Sequence, residues 1–147
     1  MTLKERIAED MKAAMRAKET TRLETIRMLR AAIQRREVDE RVSLDDGAVL
    51  VVIEKLVRQA QESIAQFEAA SRTDLVEKER ASMAVFVAYQ PAPLSSEEIE
   101  GLIAAALTET QAATIKDMGR VVALLKPQLQ GRADMAQVSA RIKERLT

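Results

Sequence analysis

Cysteine and histidine are both absent from this sequence of 147 residues. Without cysteine there are no disulfides, no thiolate nucleophile and no cysteine-ligated zinc or iron–sulfur cluster. Without histidine there is no imidazole general base and no serine–histidine or cysteine–histidine pair. We therefore expect no catalytic residue set, no metal site and no cofactor on the chain. A chain without disulfides also fits the reducing cytoplasm, which is the compartment we expect.

Aromatic residues, glycine and proline are scarce, at 2% aromatics with four glycines and three prolines. The core must therefore come from aliphatic residues, alanine and methionine, which are mostly good helix formers. So few turn residues argue against disorder and against loop-rich β folds. No apolar run is long enough to cross a membrane, and the charged N-terminus lacks the hydrophobic centre of a signal peptide. These absences predict a helical protein that does not enter a membrane.

Apolar residues recur every three or four positions through the first ninety residues, which predicts four helices there. The first covers residues 3–15, and the second begins near Thr21, which has capping-box spacing to Glu24. A long stripe from Val49 to Phe67 marks the third helix, and the fourth runs from about Leu75 to Tyr89. We expect Tyr89 to pack between domains with its hydroxyl at the surface.

The clearest break in the chain is the stretch that contains Pro91 and Pro93, because two prolines so close together cannot lie inside a helix. Ser95 follows at capping-box spacing to Glu98, which predicts a helix start. Three helices fit the remaining residues. The first covers about residues 96–110, and the second begins near Thr114 and is kinked or ended by Pro127. The third begins near Asp134, after Gly131, which suits the left-handed position that follows a helix end.

The predicted fold is therefore all-α with two domains. A four-helix N-terminal domain occupies residues 1–90, and a proline-marked linker occupies residues 91–94. A small three-helix domain occupies residues 95–147.

Charge is balanced overall, with 23 basic and 23 acidic residues, so any binding of nucleic acid requires a local patch. Residues 16–36 hold seven cations against two acids, and residues 111–147 hold seven against three. Residues 91–110 between these stretches hold four acids and no cation. The tail is therefore a candidate surface for a polyanion, whose binding would weaken with salt as counterions are released.

Four tail cations are the candidates for contacts with RNA phosphates: Lys116, Arg120, Lys126 and Arg132. The four-residue spacing of Lys116 and Arg120 predicts that both lie on one face of a helix. Arg132 follows a turn, where backbone N–H groups at the next helix start could help to hold a phosphate. The alternative is that these cations form a solvated face and pair with the protein's own acids.

The tail also carries a recognisable pattern of residues. The stretch KDMGRV from Lys116, the proline at 127 and GRAD from Gly131 resemble the tail signature of the YqeY family. The opening LKERIAEDMKAAMRAK, the block EAASRTDLV from Glu68 and the block AYQPAPLSSEE from Ala88 fit the family pattern in the same order. The resemblance therefore covers essentially the whole chain.

This resemblance implies a small cytoplasmic helical protein with a tail similar to the tail domain of the B subunit of the glutamyl/aspartyl-tRNA amidotransferase. That tail recognises tRNA, and the family carries a carbon–nitrogen ligase label with glutamine as amido donor. The catalytic core of the B subunit has no counterpart in this chain. The resemblance thus implies a non-catalytic tRNA-binding accessory protein. Its implied partners are tRNA and amidotransferase subunits or an aminoacyl-tRNA synthetase.

A protein–protein interaction module or a homo-oligomer is the alternative reading of the same sequence. The stripe from Val49 to Phe67 is long enough to be buried against a partner or a second copy of the chain. The two hypotheses differ in where they place the functional surface, because one uses the charged tail and the other uses an apolar helix face.

Overall fold

A computed structural model describes residues 1–129 and 131–147. The described residues form seven α-helices and one short 3-10 turn, Ile115–Asp117, and no strand occurs among them. The prediction of an all-α protein is confirmed. The helices are α1 (Leu3–Arg16), α2 (Thr20–Glu40), α3 (Asp46–Ala69), α4 (Thr73–Val87), α5 (Ser96–Thr110), α6 (Met118–Leu129) and α7 (Met135–Leu146).

The backbone divides into two compact units, Met1–Gln90 and Pro91–Thr147. Helices α1 to α4 belong to the first unit, and helices α5 to α7 belong to the second. Within the described ranges, none of the helices combines the length and the apolar character that a membrane crossing needs.

The core of the first unit is built from aliphatic side chains of all four helices and from two aromatic rings, those of Phe86 on α4 and of Tyr89 just after it. Helix α3 lies along α4, and α1 lies along α2. Half of the predicted α3 stripe is buried, namely Val49, Ile53 and Ala60, and the other half is only half-buried: Leu56, Ile64 and Phe67. The half-buried residues are the part of the stripe that stays accessible to a partner, so the interaction alternative remains a prediction that uses this part alone.

The start of α2 differs from the prediction. The helix begins at Thr20, with Glu19 at the N-cap position and no side-chain cap, so the predicted capping box at Thr21 is wrong. A tight turn after α1 sets the start earlier, because Lys18 adopts a left-handed φ of 57° and the Glu19 N–H donates to the Ala14 carbonyl at 3.0 Å. The geometry of the turn that ends α1 thus overrides the capping signal at Thr21.

Tyr89 lies in the core of the first unit and is only 6% exposed, so the prediction of a surface hydroxyl is wrong. Its hydroxyl donates to Asp10 Oδ2 at 2.6 Å, and the Arg6 guanidinium lies 5.1 Å from the ring centroid. Burial, followed by the hydrogen bond to the Asp10 carboxylate, raises the pKa of Tyr89 above its usual value. A polar network therefore closes the C-terminal end of this unit onto α1.

Several local signals in the second unit are confirmed. Helix α5 begins at Ser96, and the Ser95 hydroxyl accepts from the Glu98 N–H at 3.1 Å. The predicted box is only half formed, because Glu98 Oε1 accepts from the Ser95 hydroxyl instead of a backbone N–H. Gly131 has the predicted left-handed φ of 79°, a conformation that suits glycine because it lacks a Cβ.

The core of the second unit is aliphatic, and α6 contributes Val121, Leu125 and Leu129 to it. Pro127 does not end α6, which continues to Leu129. Proline removes only one backbone hydrogen bond here, close to the end of the helix and on its exposed side, where water can satisfy the freed carbonyl.

Candidate nucleic-acid interface

The four candidate cations are all exposed, but they lie on different elements of the second unit. Lys116 belongs to the 3-10 turn, whereas Arg120 and Lys126 belong to α6, and Arg132 lies in the turn before α7. Lys116 and Arg120 therefore do not lie on one α-helix as predicted, because the 3-10 turn of Lys116 precedes α6. A capping box between Thr114 and Asp117 closes the turn around Lys116, and the turn leads directly into α6.

Arg120 and Lys126 border the outer face of α6. Their separation by six residues places them about 120° apart around the helix axis. Three exposed positions lie between the two cations around the helix axis, and their side chains are absent, small or cyclic: Gly119, Ala123 and Pro127. The two cations therefore lie on either side of a helix surface without long side chains, and they do not follow one line along α6.

Asp117 holds the junction between the 3-10 turn and α6. Its Oδ2 accepts from the backbone N–H groups of Ala113 at 2.9 Å and Thr114 at 3.1 Å, and its Oδ1 accepts from Arg120 Nη2 at 2.6 Å. The backbone bonds first, and then the Arg120 guanidinium, lower the pKa of Asp117 to about 2. Arg120 can reach a phosphate only in competition with this carboxylate, although exposed ion pairs are weak.

Replacing Asp117 by asparagine should lower the thermal midpoint of the protein at pH 7. The folded-state pKa lies below the unfolded value of 3.8, so the carboxylate contributes stability above pH 4 and loses it as the pH falls toward 2. The midpoints of the wild type and of Asp117→Asn should therefore converge between pH 4 and pH 2. Calorimetry across this range measures the difference. Glu109→Gln, on an exposed residue of α5, is the control, and a constant difference at every pH would contradict the assignment.

Arg132 lies next to residues 91–94. Its carbonyl accepts from the Leu94 N–H at 2.9 Å, and its Nε is 3.5 Å from the Ala92 carbonyl, which is a long contact. The backbone N–H groups at the start of α7 were predicted to help bind a phosphate. The Ala136 N–H is not available for this, because the Asp134 side chain already accepts from it at 2.9 Å. Asp134 thus supplies the negative charge at the start of α7, and Arg132 would act through its side chain alone.

The remaining arginines of the tail are held by one acid of α5. Glu100 accepts from Arg145 Nη2 at 2.7 Å and lies 3.5 Å from Arg141 Nη1. These ion pairs neutralise part of the positive charge of residues 111–147, so that part is less available to a phosphate. By contrast, Lys116, Lys126 and Arg132 make no ion pair with any residue that the structure describes.

Other cations in the molecule lie close together without a strong signal in the sequence. Lys55 and Arg58 on α3 line the same groove as Arg35 and Arg36 on α2. The basic run of α2 is visible in the sequence. The three-residue spacing of Lys55 and Arg58 beside the apolar stripe is the only further signal that could have predicted this group of cations. Over residues 1–129 and 131–147, no group of three or more acidic side chains is arranged to hold a metal ion.

Comparison with known proteins gives a family match over nearly the whole chain. The family described as "Yqey-like protein" matches residues 4–146. A protein of Pyrenophora tritici-repentis called "Altered inheritance of mitochondria protein 41, mitochondrial" is 32% identical over 142 residues, which are 95% of this chain and 78% of that protein.

Proteins with the same name in Eremothecium gossypii and Kluyveromyces lactis are also similar. The protein of Eremothecium gossypii is 43% identical over 94 residues, which are 63% of this chain and 51% of the relative. The protein of Kluyveromyces lactis is 37% identical over 106 residues, which are 70% of this chain and 57% of the relative. The match thus covers little more than half of either of these two relatives.

These names contradict the predicted compartment. The relatives are called mitochondrial, so the prediction of a cytoplasmic protein is wrong by this comparison. The prediction failed because it depended on missing cysteines and on the resemblance. An absence of disulfides fits any reducing compartment and does not identify one.

Proposed function

We propose, from the premise that this chain belongs to the YqeY family, that it is a non-catalytic tRNA-binding accessory protein of the tRNA-dependent amidotransferase type. One observation carries the proposal. Lys116, Lys126 and Arg132 are exposed and free of ion pairs within the described residues. Free cations can neutralise phosphates without first displacing a carboxylate, and such contacts position RNA without reading its sequence.

The proposal assigns different roles to the two parts of the chain. Residues 1–90 are a four-helix domain, residues 91–94 are the linker, and residues 95–147 are a three-helix domain that carries the RNA contacts. The expected partners are tRNA and an amidotransferase subunit or an aminoacyl-tRNA synthetase. Glutamine hydrolysis through an acyl-enzyme needs an activated nucleophile, and neither cysteine nor histidine is present. A carbon–nitrogen ligase activity would therefore belong to an assembly and not to this chain alone.

A filter-binding titration with tRNA at two salt concentrations tests the proposal. The full chain should bind tRNA at micromolar protein, and the affinity should fall as salt rises. The triple variant Lys116→Ala, Lys126→Ala, Arg132→Ala should bind about tenfold or more weakly, and its salt slope should fall by about one for each phosphate-binding cation that is removed.

A matched triple variant controls for the loss of net charge. Arg16→Ala, Arg27→Ala and Lys78→Ala remove three exposed cations of the first unit that also make no ion pair within the described residues, and binding should stay within about twofold of the wild type. The proposal is wrong if tRNA binding is absent or insensitive to salt, or if the two triple variants weaken it equally.

A further inference from the structure

A groove of about 550 Å³ runs between α2 and α3 in the first unit. Its floor is apolar, and its rims are charged. The floor consists of Ala32, Val51, Val52 and Leu56. Cations border it on both sides: Arg35 and Arg36 on α2, and Lys55 and Arg58 on α3. We call this region the α2–α3 groove.

The rims of the α2–α3 groove keep uncompensated positive charge. Arg36 is paired with Glu40 at 2.6 Å. Arg35, Lys55 and Arg58 are exposed and make no ion pair within the described part of the chain, and Asp39 is the other acid at the rim. Four cations against two acids make this groove attractive to an anionic ligand.

The floor of the groove narrows the chemistry of that ligand. Val52 is 8% exposed, and the other three floor side chains are half-buried, so aliphatic surface remains accessible between the charged rims. RNA phosphates would gain nothing from such a floor. None of the chain's three aromatic residues lines the groove, so bases could stack only on the rim arginines and would leave the aliphatic floor uncovered. The ligand should therefore be apolar along its centre and acidic along its edges.

The dimensions of the groove suit a short helix. The lining residues cover positions 32–40 of α2 and 51–59 of α3, which is about 12 Å or slightly more than two helical turns on each side. We propose that the α2–α3 groove binds an acidic amphipathic helix of a protein partner. The apolar face of that helix covers Val51 and Leu56, and its carboxylates meet Arg35, Lys55 and Arg58. The groove lies in a different unit from the candidate tRNA contacts, so this inference stands whether or not tRNA binds the tail.

A fluorescein-labelled synthetic helix tests the inference on the full chain. The probe peptide carries leucines at every third and fourth position, with glutamates on both sides of that stripe. Anisotropy should show saturable binding. The variant Arg35→Glu, Lys55→Glu, Arg58→Glu should bind the probe about tenfold more weakly, the effect of three surface ion pairs of ordinary strength. The control Arg16→Glu, Lys18→Glu, Lys78→Glu changes the net charge equally at exposed sites outside the groove and should bind like the wild type.

A charge-swap arm tests whether the position of the reversed charges matters. A second probe with lysines in place of the glutamates should bind the reversed groove better than it binds the wild type and better than it binds the control variant, which has the same net charge, and circular dichroism checks that both variants are folded. A third probe, labelled oligouridylate, represents RNA. The proposal is overturned if the glutamate probe does not bind, if the two glutamate-substituted variants weaken its binding equally, if the lysine probe does not prefer the reversed groove, or if oligouridylate alone binds in a groove-dependent way.

Discussion

The substitution Leu125→Ala should unfold residues 91–147 while residues 1–90 remain folded. Leu125 is 1% exposed in the core of the second unit. Removing its branched end leaves a cavity that costs about 2 to 5 kcal/mol. A unit of this size has only a few kcal/mol of stability to lose, because small domains bury a smaller fraction of their surface.

Hydrogen–deuterium exchange with mass spectrometry measures this result segment by segment. Amide protection should fall in α5, α6 and α7 and persist in α1 to α4. Ile115→Ala is the matched control, because it truncates a side chain of the same unit that is 45% exposed, and it should change little. Loss of protection in all seven helices together would show that the chain unfolds as one cooperative body, against the two-domain proposal.

The substitution Phe86→Ala should unfold the first unit while the second unit remains folded, and it should lower the free energy of unfolding by more than Leu125→Ala does. Phe86 is 1% exposed and is the one aromatic ring on α4, where it packs into the core of the first unit. Replacing a buried phenylalanine by alanine costs about 3 to 5 kcal/mol, because aliphatic neighbours cannot fill the space of a ring. Helices α1 to α4 should lose protection while α5 to α7 retain it.

The neighbouring residue supplies the control for this second prediction. Val87→Ala truncates a side chain that is 46% exposed on the same helix, and it should leave the exchange pattern nearly unchanged. If Phe86→Ala and Val87→Ala destabilise the chain equally, the assignment of Phe86 to the centre of the core is incorrect.

The helices could be predicted from the sequence because their signals are local. Periodicity located all seven, and Ser95 and Asp134 are the N-caps that their spacing indicated. Thr21 misled because the turn around Lys18 decides where α2 begins. Tyr89 misled because its partner Asp10 is 79 residues away, and no sequence window spans that distance.

The candidate site was less predictable for the same reason. The pairing of Arg120 with Asp117 is three residues apart and was open to inference from spacing. The pairing of Arg145 with Glu100 joins residues 45 apart, so only the three-dimensional structure reveals that this cation is paired with an acid. Counting charges along a chain therefore overestimates the cations that are available to a ligand.

The buried hydroxyl that donates to Asp10 has a consequence for optical experiments. Tyr89 is the chain's only tyrosine, and tryptophan is absent, so near-ultraviolet absorption and intrinsic emission arise almost entirely from one ring. That ring is buried among residues of the first unit. A melting curve followed at these wavelengths would report the unfolding of the first unit and give no signal for the unfolding of the second.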